Sequence, residues 1–180
     1  MLERHLFNFA TLAHNAGRLT QTAEILDIPV ISTTQANFGP INDHLKSKHF
    51  AGVRVFEGKK QFSMLTQEVD EYFRSLQRDT VVLYGCEAHI CMKQTALDLL
   101  ARDINVFIVV DACTSMQVQD RNCGIAAMRD AGAHMATFQS VVFDLLRGAD
   151  HPKFKSFLPI LKDSADPSLP LDLVSYSAKL

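Results

Sequence analysis

Val81-Val82-Leu83-Tyr84-Gly85-Cys86-Glu87-Ala88-His89-Ile90-Cys91-Met92-Lys93-Gln94-Thr95-Ala96-Leu97-Asp98-Leu99-Leu100 decides the fold. It opens with a short apolar run of strand character, turns at Gly85, and continues as a helical pattern with Ile90, Ala96, Leu97 and Leu100 as candidate inward residues. Cys91 falls where strand gives way to helix. The first turn of a helix offers unpaired N–H groups and the positive end of the macrodipole, and both favour a thiolate. The same N–H groups can hold a developing oxyanion. A buried structural cysteine satisfies the same spacing, because free cysteine is among the most buried residue types. On spacing alone the balance tips slightly to the structural cysteine.

Outward from this stretch, strands alternate with helices. A helix is expected from about Glu3 to Leu26, with Leu6, Phe9, Ala10, Ala13, Ala16 and Leu19 or Thr20 on one face. It should end near Asp27, ahead of Pro29. Pro29–Thr33 and Arg54–Phe56 are short strands, the second followed by a turn at Glu57-Gly58. Thr66 caps a helix to about Leu76, and Thr80–Tyr84 leads into the cysteine turn. Strand Asn105–Val110, helix Asp120–Ala131 closed by Gly132, strand His134–Thr137, and helices Gln139–Leu146 and Phe154–Leu161 complete the pattern. Continuously apolar strands between helices argue a parallel sheet covered on both faces. Ligands bind such sheets at the C-terminal strand ends. Lys59, Cys91 and Ser115 each follow a strand, so topology can bring all three to one edge.

Length and composition bound the rest. The 180 residues suffice for one domain, placed here over 1–180, with no repeat or linker. Hydrophobic residues make up 47% and charged residues 21%, as in ordinary globular chains. A net charge of −2 supplies no basic field for nucleic acid. No apolar run approaches a membrane span, and Met1–His5 lacks a signal-peptide layout. Cysteines 86, 91, 113 and 123 show no Cys-x-x-Cys spacing, so a reducing compartment is the simpler reading. The default address is the cytoplasm, with mitochondria as the alternative.

Gly85-Cys86-Glu87-Ala88-His89-Ile90-Cys91 resembles the nucleophile motif of the isochorismatase-like cysteine hydrolases. It is closest to the branch of isochorismatase domain-containing proteins, some of which carry the label mitochondrial-associated ribonuclease. That branch follows the motif with Gln-Thr-Ala and Asp-Leu-Leu, present here at residues 94–96 and 98–100. Lys59-Lys60-Gln61-Phe62-Ser63 resembles its Lys-x-x-Phe-Ser segment, and Asp111-Ala112-Cys113-Thr114-Ser115 its Asp-Ala-x-x-Ser. Asp120-Arg121 follows, and His151-Pro152-Lys153-Phe154-Lys155 resembles its tail.

The resemblance implies a three-layer α/β/α, Rossmann-like fold with a mostly parallel, doubly wound sheet and a Cys-Lys-Asp triad. It also implies a homo-oligomer, a dimer or larger. The family's first strand, which ends in the triad aspartate, has no counterpart here, and the natural chain is expected to begin earlier. That strand lies inside the sheet, so a chain without it should leave two sheet edges exposed. The rival expectation is a divergent protein with a rearranged sheet.

By this resemblance Cys91 is the nucleophile, attacking an amide carbonyl or other small C–N or ether-like group. Lys59 is either a solvated loop lysine or a cation that favours the thiolate and orients the triad carboxylate. The backbone N–H groups of Glu87 and Cys91 would form the oxyanion hole, with a cis peptide at Cys86–Glu87. The Glu87 side chain is read as a general base in an enzyme lacking its aspartate or, in preference, as a structural hydrogen-bonder, and His89 as a satisfied or solvent-facing histidine, two residues from Cys91 and on another face. Phe62 lines the substrate pocket or belongs to the core. Ser115 contacts substrate or caps the following helix. The nicotinamidase branch binds metal through Asp-x-His…His. Thr33–Gly39 holds neither His nor acid, and His44 lacks a spaced partner, so no cofactor or catalytic metal is expected. Thr34, Ala36 and Asn37 replace residues usual in the branch, which implies an altered pocket.

Three functions follow: a metal-independent cysteine hydrolase of a small molecule, a non-catalytic scaffold of the same fold, and, weakest, a ribonuclease. No membrane or nucleic-acid partner is expected. A basic stripe, a His pair for phosphodiester cleavage and an RNA-binding motif are all missing from the sequence.

Overall fold

The computed structural model describes residues 5–39 and 52–163. Helix α1 spans Phe9–Leu26, strand β1 Val30–Gln35, β2 Val53–Lys59, helix α2 Gln67–Ser75 and β3 Thr80–Cys86. A π-helical turn, Ala88–Met92, runs into α3, Lys93–Leu100. Then come β4 (Asn105–Thr114), α4 (Val118–Asp130), β5 (His134–Ala136), α5 (Phe138–Leu146) and α6 (Phe154–Lys162). All strand pairings are parallel, and the order is β1-β2 in one sheet and β3-β4-β5 in another.

The alternation of strand and helix thus gives the α/β architecture that the apolar strands require. Among the described residues no strand joins β1 to β3, so these two strands each present an unpaired edge. Two apolar clusters cover the two faces of β3-β4-β5. Leu83, Ala88, Met92, Ala96, Leu99, Val106, Ile108, Ile125 and Met128 pack beneath the π-turn, α3 and α4. Leu19, Val109, Ala112, Phe138, Val142, Phe157 and Ile160 pack beneath α1, α5 and α6.

Several expected boundaries move, each for a physical reason. Helix α1 begins at Phe9, behind Asn8 in the left-handed region (φ 54°), and ends against Asp27 (φ 57°). Its buried face is Leu12, Ala16, Leu19 and Ala23 together with Asn15 and Arg18, while Ala10 is exposed. Asn15 and Arg18 are tolerated inside because they are paired. Asn15 Nδ2 donates to Asp111 O at 2.7 Å, and Arg18 Nε and Nη2 donate to Ile160 O at 3.1 and 2.8 Å. The Arg18 guanidinium also lies 3.8 Å from the centre of the Phe138 ring.

Glu57-Gly58, read as a turn, belongs to β2. The register passes from Thr33↔Phe56 to Gln35↔Lys59, so β2 carries one extra residue there. Gly58 has φ +72°, which an ordinary side chain rarely adopts, and its N–H donates to Thr34 Oγ1 at 2.9 Å. This bulge makes Lys59 the last residue of the strand rather than the first of a loop.

Strand β4 runs four residues past its expected end. The register jumps from Leu83↔Ile108 to Gly85↔Cys113. Arg121 of α4 accepts the task of bonding the displaced carbonyls: Nε donates to Cys113 O at 2.7 Å and Nη2 to Val110 O at 2.5 Å. Gly85 likewise lies within β3, at φ +132°. In the helix that follows, Leu97 is 41% exposed and Leu99 is buried. The inward stripe is Ala88, Met92, Thr95, Ala96 and Leu99, one face counted from the π-turn rather than from Ile90.

Candidate active site

The C-terminal ends of β1, β2 and β3 meet. Lys59, at the end of β2, is buried with 7% exposure. Its ammonium donates to Gln35 Oε1 at 2.5 Å, to Phe62 O at 2.8 Å and to Gln61 O at 3.1 Å, and lies 3.6 Å from Cys91 Sγ. Three neutral oxygens and one sulfur therefore surround the cation. The solvated-lysine reading of Lys59 does not hold. The β2 bulge supplies the cause, since one inserted residue turns the Lys59 side chain inward.

Gln35 ends β1 and was not singled out in the sequence. Its Nε2 donates to Lys60 O at 3.0 Å, which fixes which end of the carboxamide faces inward. Its Oε1 then receives both the Lys59 ammonium and the Cys91 thiol, the latter at 3.9 Å. The strand-end rule that points to Lys59, Cys91 and Ser115 applies equally to Gln35. It was available in the sequence.

Cys91 is half-buried in the π-helical turn. Such turns widen a helix locally and recur at functional sites. Glu87 O accepts from both Ile90 N (3.1 Å) and Met92 N (3.2 Å), which closes the wide turn. Thr95 Oγ1 donates to Cys91 O at 2.7 Å and accepts from Met64 N at 2.8 Å. The nucleophile turn is thereby tied to the segment after β2. The peptide Cys86–Glu87 is cis.

The neighbours fall into supporting positions. Glu87 Oε2 accepts from Met116 N at 2.9 Å, the structural hydrogen bond expected of it. His89 Nδ1 lies 3.0 Å from Ser115 Oγ, so His89 is satisfied and no Cys-His dyad forms through Nδ1. Ser115 is fully buried, and α4 is headed by Gln117, so Ser115 does not cap that helix. Phe62 contributes its carbonyl to Lys59, while its ring is 49% exposed and lies outside the core. The other cysteines differ in kind. Burial pushes the Cys86 and Cys113 thiols up to about 12, whereas Cys123 is exposed on α4.

Among the described residues no three His, Cys, Asp or Glu side chains gather so as to hold a metal ion. His44 lies outside the described residues. No helix among them is long and apolar enough to cross a membrane.

A parallel α/β fold with a cysteine in the turn after β3 and a buried lysine beside it defines a class of hydrolase-like domains. The isochorismatase domain matches residues 2–140, and the chain belongs to the isochorismatase family. Mouse isochorismatase domain-containing protein 2A is 36% identical over 174 residues, 96% of this chain and 82% of the mouse protein. A solved structure of MAR1 ribonuclease from Caenorhabditis elegans superposes with a TM-score of 0.86 at 33% identity, covering 96% of this chain and 90% of that one. The Escherichia coli YcaC gene product, described as an octameric hydrolase of unknown specificity, shares the fold at a TM-score of 0.71 and 20% identity, covering 84% of this chain and 82% of its own.

Proposed function

We propose that the protein is a cysteine hydrolase of small molecules carrying an amide or related C–N bond. The observation that carries this reading is the buried Lys59 ammonium 3.6 Å from Cys91 Sγ. A buried cation held only by neutral dipoles among the described residues is stabilised by an anion, and the Cys91 thiolate is the adjacent candidate. The sulfur attacks the carbonyl carbon, forming an S–C bond and moving the C=O π electrons onto oxygen. The N–H groups of Glu87 and Cys91 bind that oxyanion. Collapse breaks the C–N bond, and the amine leaves with a proton given up by the Lys59 ammonium. Water then attacks the thioester and returns a proton to Lys59, releasing the acid and restoring the thiolate and the ammonium. Whole-reaction stoichiometry is amide plus water to acid plus amine.

Ammonia release from a panel of small primary amides, ureas and carbamates tests this in wild type and Cys91→Ser. Turnover lost at least 100-fold in the serine variant is expected. Turnover that survives in Cys91→Ser, or an intact folded protein inert to every amide and to thiol reagents at Cys91, overturns it and leaves the scaffold reading. Because a relative bears a ribonuclease label, RNA cleavage is assayed on the same pair of proteins. The hydrolase reading expects no difference between them. We also propose a homo-oligomer, supported by Phe143, Leu145 and Leu158, which stand exposed on α5 and α6. Light scattering at the mass of one 20.1 kDa chain would refute it.

A further inference from the structure

Thr95 of α3 is buried with 2% exposure, one turn after Cys91. Its hydroxyl donates to Cys91 O at 2.7 Å and accepts from Met64 N at 2.8 Å. The first bond is the back-bond that a helical threonine makes to the carbonyl four residues before it. The second is not local, because Met64 belongs to the segment between β2 and α2. That same segment supplies Gln61 O and Phe62 O, which receive the Lys59 ammonium at 3.1 and 2.8 Å. Ser63 Oγ accepts from Leu65 N at 3.2 Å and braces the segment from within. The contacts close a ring. It runs from Cys91 Sγ to Lys59 Nζ, through Phe62 and Met64 to Thr95, and back to Cys91 O. The segment that places the ammonium is therefore itself placed against the carbonyl of the nucleophile.

Resting on the hydrolase reading, we infer that Thr95 is a positioning residue that sets the separation of the Lys59 ammonium from the Cys91 sulfur. Charge attraction falls with distance, so this separation governs how strongly the cation favours thiolate over thiol. Letting the 3.6 Å contact open to about 5 Å weakens that effect by about one pH unit at an effective dielectric constant of about 20. The relation concerns one distance and holds whatever other group also meets Lys59. The titratable neighbours of Cys91 on its own turn are bonded elsewhere, Glu87 to Met116 N and His89 to Ser115 Oγ, while Cys86 ends β3. Removing the Thr95 hydroxyl breaks none of these bonds.

Alkylation by iodoacetamide reads this without knowledge of the natural substrate. The reagent alkylates a thiolate with loss of iodide, so the midpoint of the rate against pH reports the ionisation of the thiol. Rates at Cys91 are followed by peptide mass spectrometry in wild type, Thr95→Val and Thr95→Ser, with the exposed Cys123 as internal control. Thr95→Val keeps the branched shape and lacks the hydroxyl. Its Cys91 midpoint is expected to rise by about one pH unit while that of Cys123 stays in place. Thr95→Ser retains the hydroxyl and should restore the wild-type midpoint. In a Lys59→Met background the valine substitution should move the midpoint no further, because no cation is left to misplace. Circular dichroism checks that each variant folds. If Lys59→Met does not fold, the valine and serine variants decide alone; if Thr95→Val does not fold, Thr95→Ala, the better helix former, replaces it. A midpoint shared by wild type and Thr95→Val, or an equal rise with and without Lys59, makes Thr95 a structural residue only and overturns the inference, while a reactive Cys91 leaves the hydrolase reading standing. A wild-type Cys91 as inert as Cys86 and Cys113 overturns both together.

Discussion

Gly124 of α4 packs directly on the backbone of His89: a Cβ at position 124 would lie 2.6 Å from His89 Cα and His89 N. Backbone rather than a flexible side chain is in the way, so nothing can move aside cheaply. The absent side chain lets α4 press against the π-turn that carries Cys91.

Gly124→Ala should therefore destabilise the protein by about 1–3 kcal/mol, the usual cost of overpacking, although alanine is the better helix former by about 1 kcal/mol. Urea denaturation gives the stability, and the Cys91 alkylation rate reports the displaced turn. A variant as stable as wild type would show that α4 and the turn are not in this contact.

Burial separates the four cysteines by reactivity. Cys86 and Cys113, raised from 9.0 to about 12, remain thiols in the folded protein at pH 9–10 and should escape alkylation there. Cys123 and Cys91 should label first. The sign for stability follows. Thiols whose ionisation is raised on folding favour the folded state fully below pH 9.0, and that contribution is lost as pH rises toward 12. Denaturation midpoints should fall steadily across this alkaline window, and less steeply in Cys86→Ala.

Asp111 gives a second pH effect at the acid end. Burial raises its ionisation above the ordinary 3.8, partly opposed by the Phe138 N–H on Oδ1 at 2.8 Å and by Arg18 and Arg121. Its favourable contribution is thus present below pH 3.8 and lost as pH climbs through the raised value. Asp111→Asn retains an oxygen for the Phe138 N–H and removes the buried charge. It should be more stable than wild type at pH 7, with the difference shrinking near pH 3. Equal stability at both pH values would count against a buried charge at this position.

Ser115→Ala removes the hydroxyl that faces His89. A half-buried imidazole nitrogen then lacks its partner, at a cost of about 1 kcal/mol. Alkylation of Cys91 should change with it, because His89 and Cys91 share the π-turn. Thermal melting and the alkylation rate measure the two effects.

Much of this was legible in the chain. The apolar runs around Leu83 and Ile108 announced parallel strands, and Gly85 through Cys91 announced the strand-to-helix turn. Thr66 heads α2 as expected, with its side chain accepting from Val69 N at 3.3 Å. The misses share a cause. Bulges in β2 and β4 and the π-turn each insert residues into a regular period, and a periodicity argument assumes that the period is kept. The buried Arg18 and Arg121 were hidden for another reason: their burial depends on carbonyls supplied by distant residues, such as Ile160 O and Cys113 O. Gln35 carries no charge and belongs to no motif of charged or nucleophilic residues. Only its place at a strand end marks it.

The division of the strands into β1-β2 and β3-β4-β5 gives the site a mechanical meaning. Gln35 and Lys59 belong to one sheet and Cys91 to the turn leaving the other. The contacts of Lys59 and Gln35 with Cys91 are at the same time rivets between the two sheets, together with Met64 N on Thr95 Oγ1. The contact between ammonium and sulfur thus fastens one sheet to the other, and whatever loosens it loosens the frame as well.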